Sequence, residues 1–380
     1  GFCLSGDPAV KIAYPEFGMK VTTVNGQSVD GNSISFKALE KITVEGEVLD
    51  ASGQLVTDFT GIVNPTVKDS KVTVTCLKNS NKDDSPAFTF TDYPNTIFIG
   101  NDSVRNGKFS FTFTVPKDIS YSNLQGKMNL YAVDTESGNE AQGNFDNFIV
   151  GGTSDTAETD TIGPEIRALY LNDTTFVDGG QVNTTPYFVA ELWDKSGVNI
   201  TGSSVGHDMM LVIDESTVLS YNLNSYYELL PGEDGTGIVK FPIPALEPGK
   251  HTAEFWVWDI LNNSTVRTFT FEVVEGLKPF LFDVIATPGI AREQVTFHLM
   301  HNRPESRMRV GIMVYDLAGR QLWKHEESGT SGLFENYTVS WDLTSGGARM
   351  RPGVYIYRAA ISTDNSKDAT KARKFIILGE

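Results

Sequence analysis

The chain has 380 residues, 40% of them hydrophobic, with 31 Lys and Arg against 48 Asp and Glu, for a formal net charge of −17. That length is enough for two or three domains, each with its own core. The negative charge argues against non-specific nucleic-acid binding, because phosphates would be repelled. No apolar run approaches the ~18–20 residues needed to span a bilayer.

In chain order, residues 1–17 (GFCLSGDPAVKIAYPEF) read as an N-terminal arm or as the remnant of an upstream domain. Gly1 to Ser5 have neither the basic start nor the long apolar core of a signal peptide. Residues 18–152 carry short β-like segments and are expected to form a first β-sandwich. Within them Phe109, Phe111 and Phe113 alternate with Ser110 and Thr112, so one face of a strand is apolar. Asn106-Gly107 just before is a strong hairpin signal. The polar stretch 79–85 reads as a mobile loop, and the small, acidic stretch 153–163 as a linker.

Residues 164–278 are expected to form an immunoglobulin-like sandwich. In its strand from His251 to Asp259 we expect one of Trp256 and Trp258 in the core and the other on a partly exposed face. Residues 279–380 hold about seven short strands in roughly a hundred residues, which suits another such sandwich. This last segment carries 13 Lys/Arg against 11 Asp/Glu, whereas the residues before it carry 18 against 37. The charge split supports a distinct final domain. The expected class is all-β, with tandem immunoglobulin-like or fibronectin-like sandwiches.

One turn device recurs. Asp50 to Gly53, Asp194 to Gly197, Asp259 to Asn262 and Asp316 to Gly319 each follow an apolar strand end, and Asp134 to Gly138 is a version one residue longer. Asp accepts hydrogen bonds from turn backbone, and Gly or Asn supplies positive φ. The recurrence points to stacked hairpins, not to a function.

Chemistry is sparse. The five histidines, His207, His251, His298, His301 and His325, lie in no nucleophile motif, and Cys3 and Cys76 have no flanking signature, so no catalytic residue is assigned. A Cys3–Cys76 disulfide and free thiols are both open readings. There is no phosphate loop, dinucleotide fingerprint or zinc spacing. The nearest thing to a metal site is Gly206-His207-Asp208 with Asp214, where Asp208 and Asp214 are candidate ligands for a structural calcium. The competing and favoured reading ties His207 and Asp208 to the neighbouring strand. Asp155, Glu158 and Asp160 read as solvated acid, and no cofactor is expected. Tyr226, Tyr227 and Trp323 are the exposed aromatics that could form a sugar platform.

Val314-Tyr315-Asp316-Leu317-Ala318-Gly319-Arg320 resembles the L-x-D-x-x-G-R motif of type IX secretion C-terminal domains in Bacteroidetes. Arg351-Pro352-Gly353-Val354-Tyr355 resembles their P-x-G-x-Y strand, and Lys371-Ala372-Arg373-Lys374 their closing basic strand. Trp341-Asp342 with Gly346-Gly347 is similar to the immunoglobulin-like domain of flagellar hook-capping proteins. Ala286-Thr287-Pro288-Gly289 stands where the usual Pro-Asn-Pro lead-in would be. Leu4 to Val10 resembles the end of a gingipain-family peptidase domain. Gly163 to Ile166, the His207 loop, and Trp258-Asp259 with Asn262 to Ser264 resemble the middle region of the PorU-type sortases of that family.

The resemblance implies a surface protein of a Gram-negative outer membrane. Its relatives cut the C-terminal signal from secreted cargo and attach the cargo to an anionic lipopolysaccharide. It also implies a last domain that docks to an outer-membrane β-barrel partner of PorV type. Asp316, Gly319, Arg320, Pro352, Gly353, Tyr355, Lys371, Arg373 and Lys374 would carry docking or sorting. The peptidase Cys and His would lie upstream of residue 1, so this stretch is expected to be non-catalytic. The rival expectation is an adhesin or glycan-binding stalk whose last domain is a removable sorting signal.

Overall fold

The computed structural model describes residues 14–77, 86–155, 160–202, 206–230, 235–363 and 366–379. The arm 1–13 with Cys3, the polar loop 79–85 and Glu158 lie outside them. Among the described residues the chain is built from β-strands, the one helical turn is Asn224–Tyr226, and no helix is long and apolar enough to cross a membrane. The fold is all-β. Among the described residues three large hydrophobic cores follow one another along the chain, and a smaller cluster of Tyr170, Val189 and Ile238 packs against Leu333 of the last segment.

The first core lies inside strands whose pairing closes on itself. Phe17–Val24 pairs antiparallel with Lys41–Leu49, which pairs with Lys108–Thr114 and then Asp102–Arg105. Gly61–Lys68 receives Asp102–Arg105 on one side and Lys127–Asp134 on the other, and Glu140–Phe145 completes the circuit back to Phe17–Val24. Pro65 explains a change of neighbour within this ring. It has no N–H to give a ladder, and the outer edge of Gly61–Lys68 switches there from Asp102–Arg105 to Thr96–Ile99. Phe109, Phe111 and Phe113 are buried, while Ser110 and Thr112 face water. Asn106 and Gly107 both have positive φ, as a tight hairpin turn requires.

The second core is enclosed by two sheets. One orders Glu165–Leu171, Tyr187–Trp193, Thr236–Pro242 and Tyr227–Leu229; the other orders Gly180–Val182, Ser264–Val273, Gly249–Trp258, Met210–Ile213 and Ser220–Asn222. The expected split of the two tryptophans does not hold. Side chains alternate along a strand, so Phe255 and Val257 take the core and both Trp256 and Trp258 lie half-buried on the opposite face. Trp256 Nε1 donates to Glu254 Oε2 at 3.3 Å, and the Trp258 ring lies 4.5 Å from that of His207.

The third core lies between a three-stranded sheet (Leu281–Thr287, Val295–His301, Tyr337–Trp341) and a five-stranded one ordered Ile290–Ala291, Ala369–Ile377, Gly353–Ser362, Met308–Tyr315, Gln321–Gly329. Phe297, Tyr357, Phe375 and Trp341 fill it, with Tyr357 Oη donating to the Val284 carbonyl at 3.0 Å. Fully burying an aromatic of this size contributes about 1.5–3 kcal/mol, and the hydrogen bond meets the polar atom that burial would otherwise strand.

Polar contacts tie successive cores together. Lys117 N donates to the Ile260 carbonyl at 2.8 Å, and the buried Asp118 carboxylate accepts from Asn262 Nδ2 at 2.8 Å and His207 Nδ1 at 2.6 Å. Farther along, the buried Arg303 guanidinium donates to the Leu277 carbonyl at 3.0 Å and to Asn302. It thereby fixes the segment leading into the last sandwich.

Candidate functional site

In each of the five Asp turns one carboxylate oxygen accepts two backbone N–H groups of the same turn. Asp50 Oδ1 accepts the backbone N–H of Ser52 at 2.8 Å and of Gln54 at 2.9 Å. Asp134 does so with Glu136 and Ser137, Asp194 with Ser196 and Gly197, Asp259 with Leu261 and Asn263, and Asp316 with Ala318 and Arg320. The left-handed position is Gly53, Gly138, Gly197 or Gly319 in four cases and Asn262 in the fifth. Asn tolerates that conformation better than other residues with a Cβ.

Their electrostatics differ. Asp50, Asp134 and Asp316 sit below the usual carboxylate range because hydrogen bonds favour the anion: first from Ser52, from the Ser137 backbone and from the Arg320 backbone, respectively. Asp194 and Asp259 go the other way. Burial pushes Asp194 up to about 6 and raises Asp259, against hydrogen bonds that lower each and with help from neighbouring carboxylates.

The cause is tertiary. Asp194 ends a strand of one sheet of the second sandwich and Asp259 a strand of the other. Ile260 N donates to the Gly197 carbonyl at 3.0 Å and Asn199 N to the Trp258 carbonyl at 2.8 Å, which locks the two turns together. Asp160 joins them: Ser196 Oγ donates to its Oδ2 at 2.8 Å and Asn263 Nδ2 to its carbonyl at 3.1 Å. One oxygen from each of Asp160, Asp194 and Asp259 then lies within 4.8 Å of the others. The three respond differently: hydrogen bonds from the Ile162 backbone and the Ser196 hydroxyl hold Asp160 below the usual range, while the two buried members are raised. Calcium takes six to eight oxygens, more than one from each of these three. The sequence marks Asp194 and Asp259 as turn residues and Asp160 as linker acid; the one hint is Asp at the ends of two strands whose turns could meet.

The metal candidates read from sequence are not brought together. Asp208 Oδ1 accepts from Asn224 Nδ2 at 2.7 Å, before Met210–Ile213 begins. Asp214, just after that strand, accepts from His251 Nδ1 at 2.7 Å and from Thr252 N at 2.9 Å. His207 reaches back to Asp118 of the first core rather than to its own strand.

Cys76 is exposed, and among the described residues no histidine hydrogen-bonds to a cysteine. His301 Nε2 does lie 2.8 Å from Ser331 Oγ. Its Nδ1, however, accepts the Arg303 backbone N–H at 3.0 Å. The proton of the neutral ring is therefore on Nε2, which donates to the serine, the reverse of what nucleophile activation needs. Burial, aided by the Arg303 charge, lowers His301 to about 4 and keeps it neutral. Of the aromatics, Tyr226 is exposed and Tyr227 is buried. Trp323 is half-buried and stacked 4.5 Å from Trp341, so the expected trio of exposed rings is not there.

The residues singled out in the last sandwich fall into two groups. Asp316, Gly319, Arg320, Pro352 and Gly353 gather at one end of the five-stranded sheet, since Tyr315 pairs with Ile356. Arg320 Nε donates to Asp316 Oδ2 at 3.1 Å, and the buried Tyr355 donates through its hydroxyl to the Arg351 carbonyl at 2.7 Å. Lys371 donates to the Phe282 carbonyl and Arg373 grips Asp283 through both oxygens, binding the two sheets along one side. Lys374 projects to solvent from the outer face.

No family model and no curated protein matches this chain. Among solved structures it is similar to dimeric latent PorU from Porphyromonas gingivalis, at 38% identity over 99% of this chain and 35% of that one, with a TM-score of 0.43. The chain thus spans about a third of that protein's length. It also aligns with the FN1–FN3 domains of chicken CNTN1 at 7% identity, covering 95% of this chain and 98% of that one, TM-score 0.22. The Ig1-2 module of the Drosophila receptor tyrosine phosphatase DLAR aligns at 9% identity, covering 58% of this chain and all of that one (100%), TM-score 0.23. Nothing about function passes from the last two.

Proposed function

We propose that this chain, 38% identical to latent PorU along 99% of its length, is the non-catalytic β-sandwich tail of a PorU-type cell-surface sortase. The sequence identity carries the reading. The tail acts as spacer and as docking module for an outer-membrane β-barrel protein of PorV type, while the cysteine peptidase machinery lies in another part of the full-length protein. One observation supports the non-catalytic assignment: the tautomer of His301 opposes activation of Ser331.

A spacer has to keep its modules in a fixed relation, and the buried contacts of Asp118 and Arg303 suit that role. Deleting residues 279–380 from the full-length protein tests the docking role, with surface-exposed enzyme measured by protease accessibility on intact cells. Loss of surface retention is expected, and normal retention sinks the docking role.

A further inference from the structure

Strands that face water on one side alternate apolar and polar residues, whereas strands covered on both sides read as near-continuous apolar runs. Lys108–Thr114 in the first core is of the former kind, with Ser110 and Thr112 outward. Gly353–Ser362 (GVYIYRAAIS) is of the latter kind. Tyr355, Tyr357, Ala359 and Ile361 point into the core, yet its other face is apolar too.

Cross-strand registers extend that outer face over four strands. Ile290 pairs with Ile376 and Ile376 with Val354; the next row is Lys374, Ile356 and Tyr315; the next is Ala372, Arg358 and Met313. The first row is open, Ile290 being 55% exposed and Val354 41%, while Ile376, Ile356, Tyr315 and Met313 are half-buried. Two cations, Arg358 and Lys374, stand among the apolar side chains and make no ion pair among the described residues, while Arg309 and Lys324 nearby are paired with Asp368 and Glu326.

We propose that this outer face of the five-stranded sheet is the docking surface, and that its occupant is a protein surface presenting carboxylates around an apolar patch. The inference rests on the docking role given above and assigns it to a face rather than to the Asp316 and Pro352 turn end. Charge complementarity selects the partner: the two free cations need anions when water leaves the interface. The apolar rows supply most of the area removed from water.

The test titrates the full 380-residue chain with a purified PorV-type barrel in detergent, comparing wild type, Arg358→Glu/Lys374→Glu, Val354→Lys and, as control, Lys250→Glu on the second sandwich. Unchanged thermal melts establish that the variants are folded. The expected result is a loss of affinity of about tenfold or more for the double reversal and for Val354→Lys, with no change for Lys250→Glu. Wild-type affinity should fall as salt rises. If wild type binds and the double reversal binds equally well, the face is wrong while docking stands. If wild type does not bind the barrel, docking itself fails and the inference with it. Sedimentation equilibrium adds a last arm: a wild-type dimer abolished by the double reversal would make a second copy the occupant and overturn the proposal.

Discussion

Asp194 and Asp259 close strands of opposite sheets, yet their carboxylate oxygens lie within 4.8 Å of each other and of Asp160. The backbone bond between the two turns, Ile260 N to the Gly197 carbonyl, makes that approach unavoidable once the sandwich forms. Like charges brought together out of water resist ionisation.

The consequence is a stability that changes with pH in a definite direction. Asp194 is raised from 3.8 to about 6 in the folded chain, so its contribution is full below about 3.8 and is lost as pH rises through about 6. Asp194→Asn keeps an oxygen for the Ser196 and Gly197 N–H groups and removes the charge. It should stabilise the second sandwich at pH 7 by about 1–3 kcal/mol and flatten the pH dependence between about 4 and 6. Urea unfolding followed by tryptophan fluorescence at several pH values measures this, and an unchanged slope would count against the cluster.

The third sandwich should respond to acid in the opposite sense. His301 is lowered from 6.5 to about 4, so its contribution is full above about 6.5 and is lost as pH falls through about 4. Arg303 is the cation it faces, and protonation would place two positive charges side by side. His301→Asn retains an acceptor for the Arg303 N–H and gives up the Ser331 bond, at a cost of about 1 kcal/mol at pH 7. Its acid unfolding midpoint should nevertheless move to lower pH. Stacked Trp323 and Trp341 report the transition, and a midpoint that stays put refutes the assignment.

Strand glycines in the first core divide by what a methyl group would meet. A Cβ on Gly61 would lie 1.9 Å from the Val133 carbonyl oxygen, while one on Gly18 finds nothing nearer than 3.9 Å. Gly61→Ala should destabilise by about 1–3 kcal/mol or more, because backbone of a paired strand has to move. Gly18→Ala should be near neutral. Denaturant midpoints decide, and equal effects would mean that strand Gly61–Lys68 is not closed against Lys127–Asp134.

Asp118 is the acceptor that joins the first two cores. Asp118→Ala leaves His207 Nδ1 and Asn262 Nδ2 without the oxygens they reach. We expect a loss of about 1–3 kcal/mol and a looser joint, visible as a broader distance distribution between spin labels placed on either side. An unaltered distribution would mean the joint does not depend on this carboxylate.

Much of this architecture is written locally. Period-two alternation at Phe109 to Phe113, Asn106-Gly107, and the five Asp turns each depend on residues within about four positions of one another, so the sequence by itself determined an all-β chain and where its hairpins turn. The same alternation also implied that Trp256 and Trp258 share a face. Only the tertiary structure decided which turn carboxylates would be buried together, because desolvation and neighbouring charge come from strands remote in the chain. Hydrogen bonds hold Asp50, Asp134 and Asp316 below the usual carboxylate range, while burial pushes Asp194 and Asp259, alike in sequence, above it. Likewise His207 takes its partner from the first core, and the partly exposed apolar rows beside Arg358 follow only from four strands set in register.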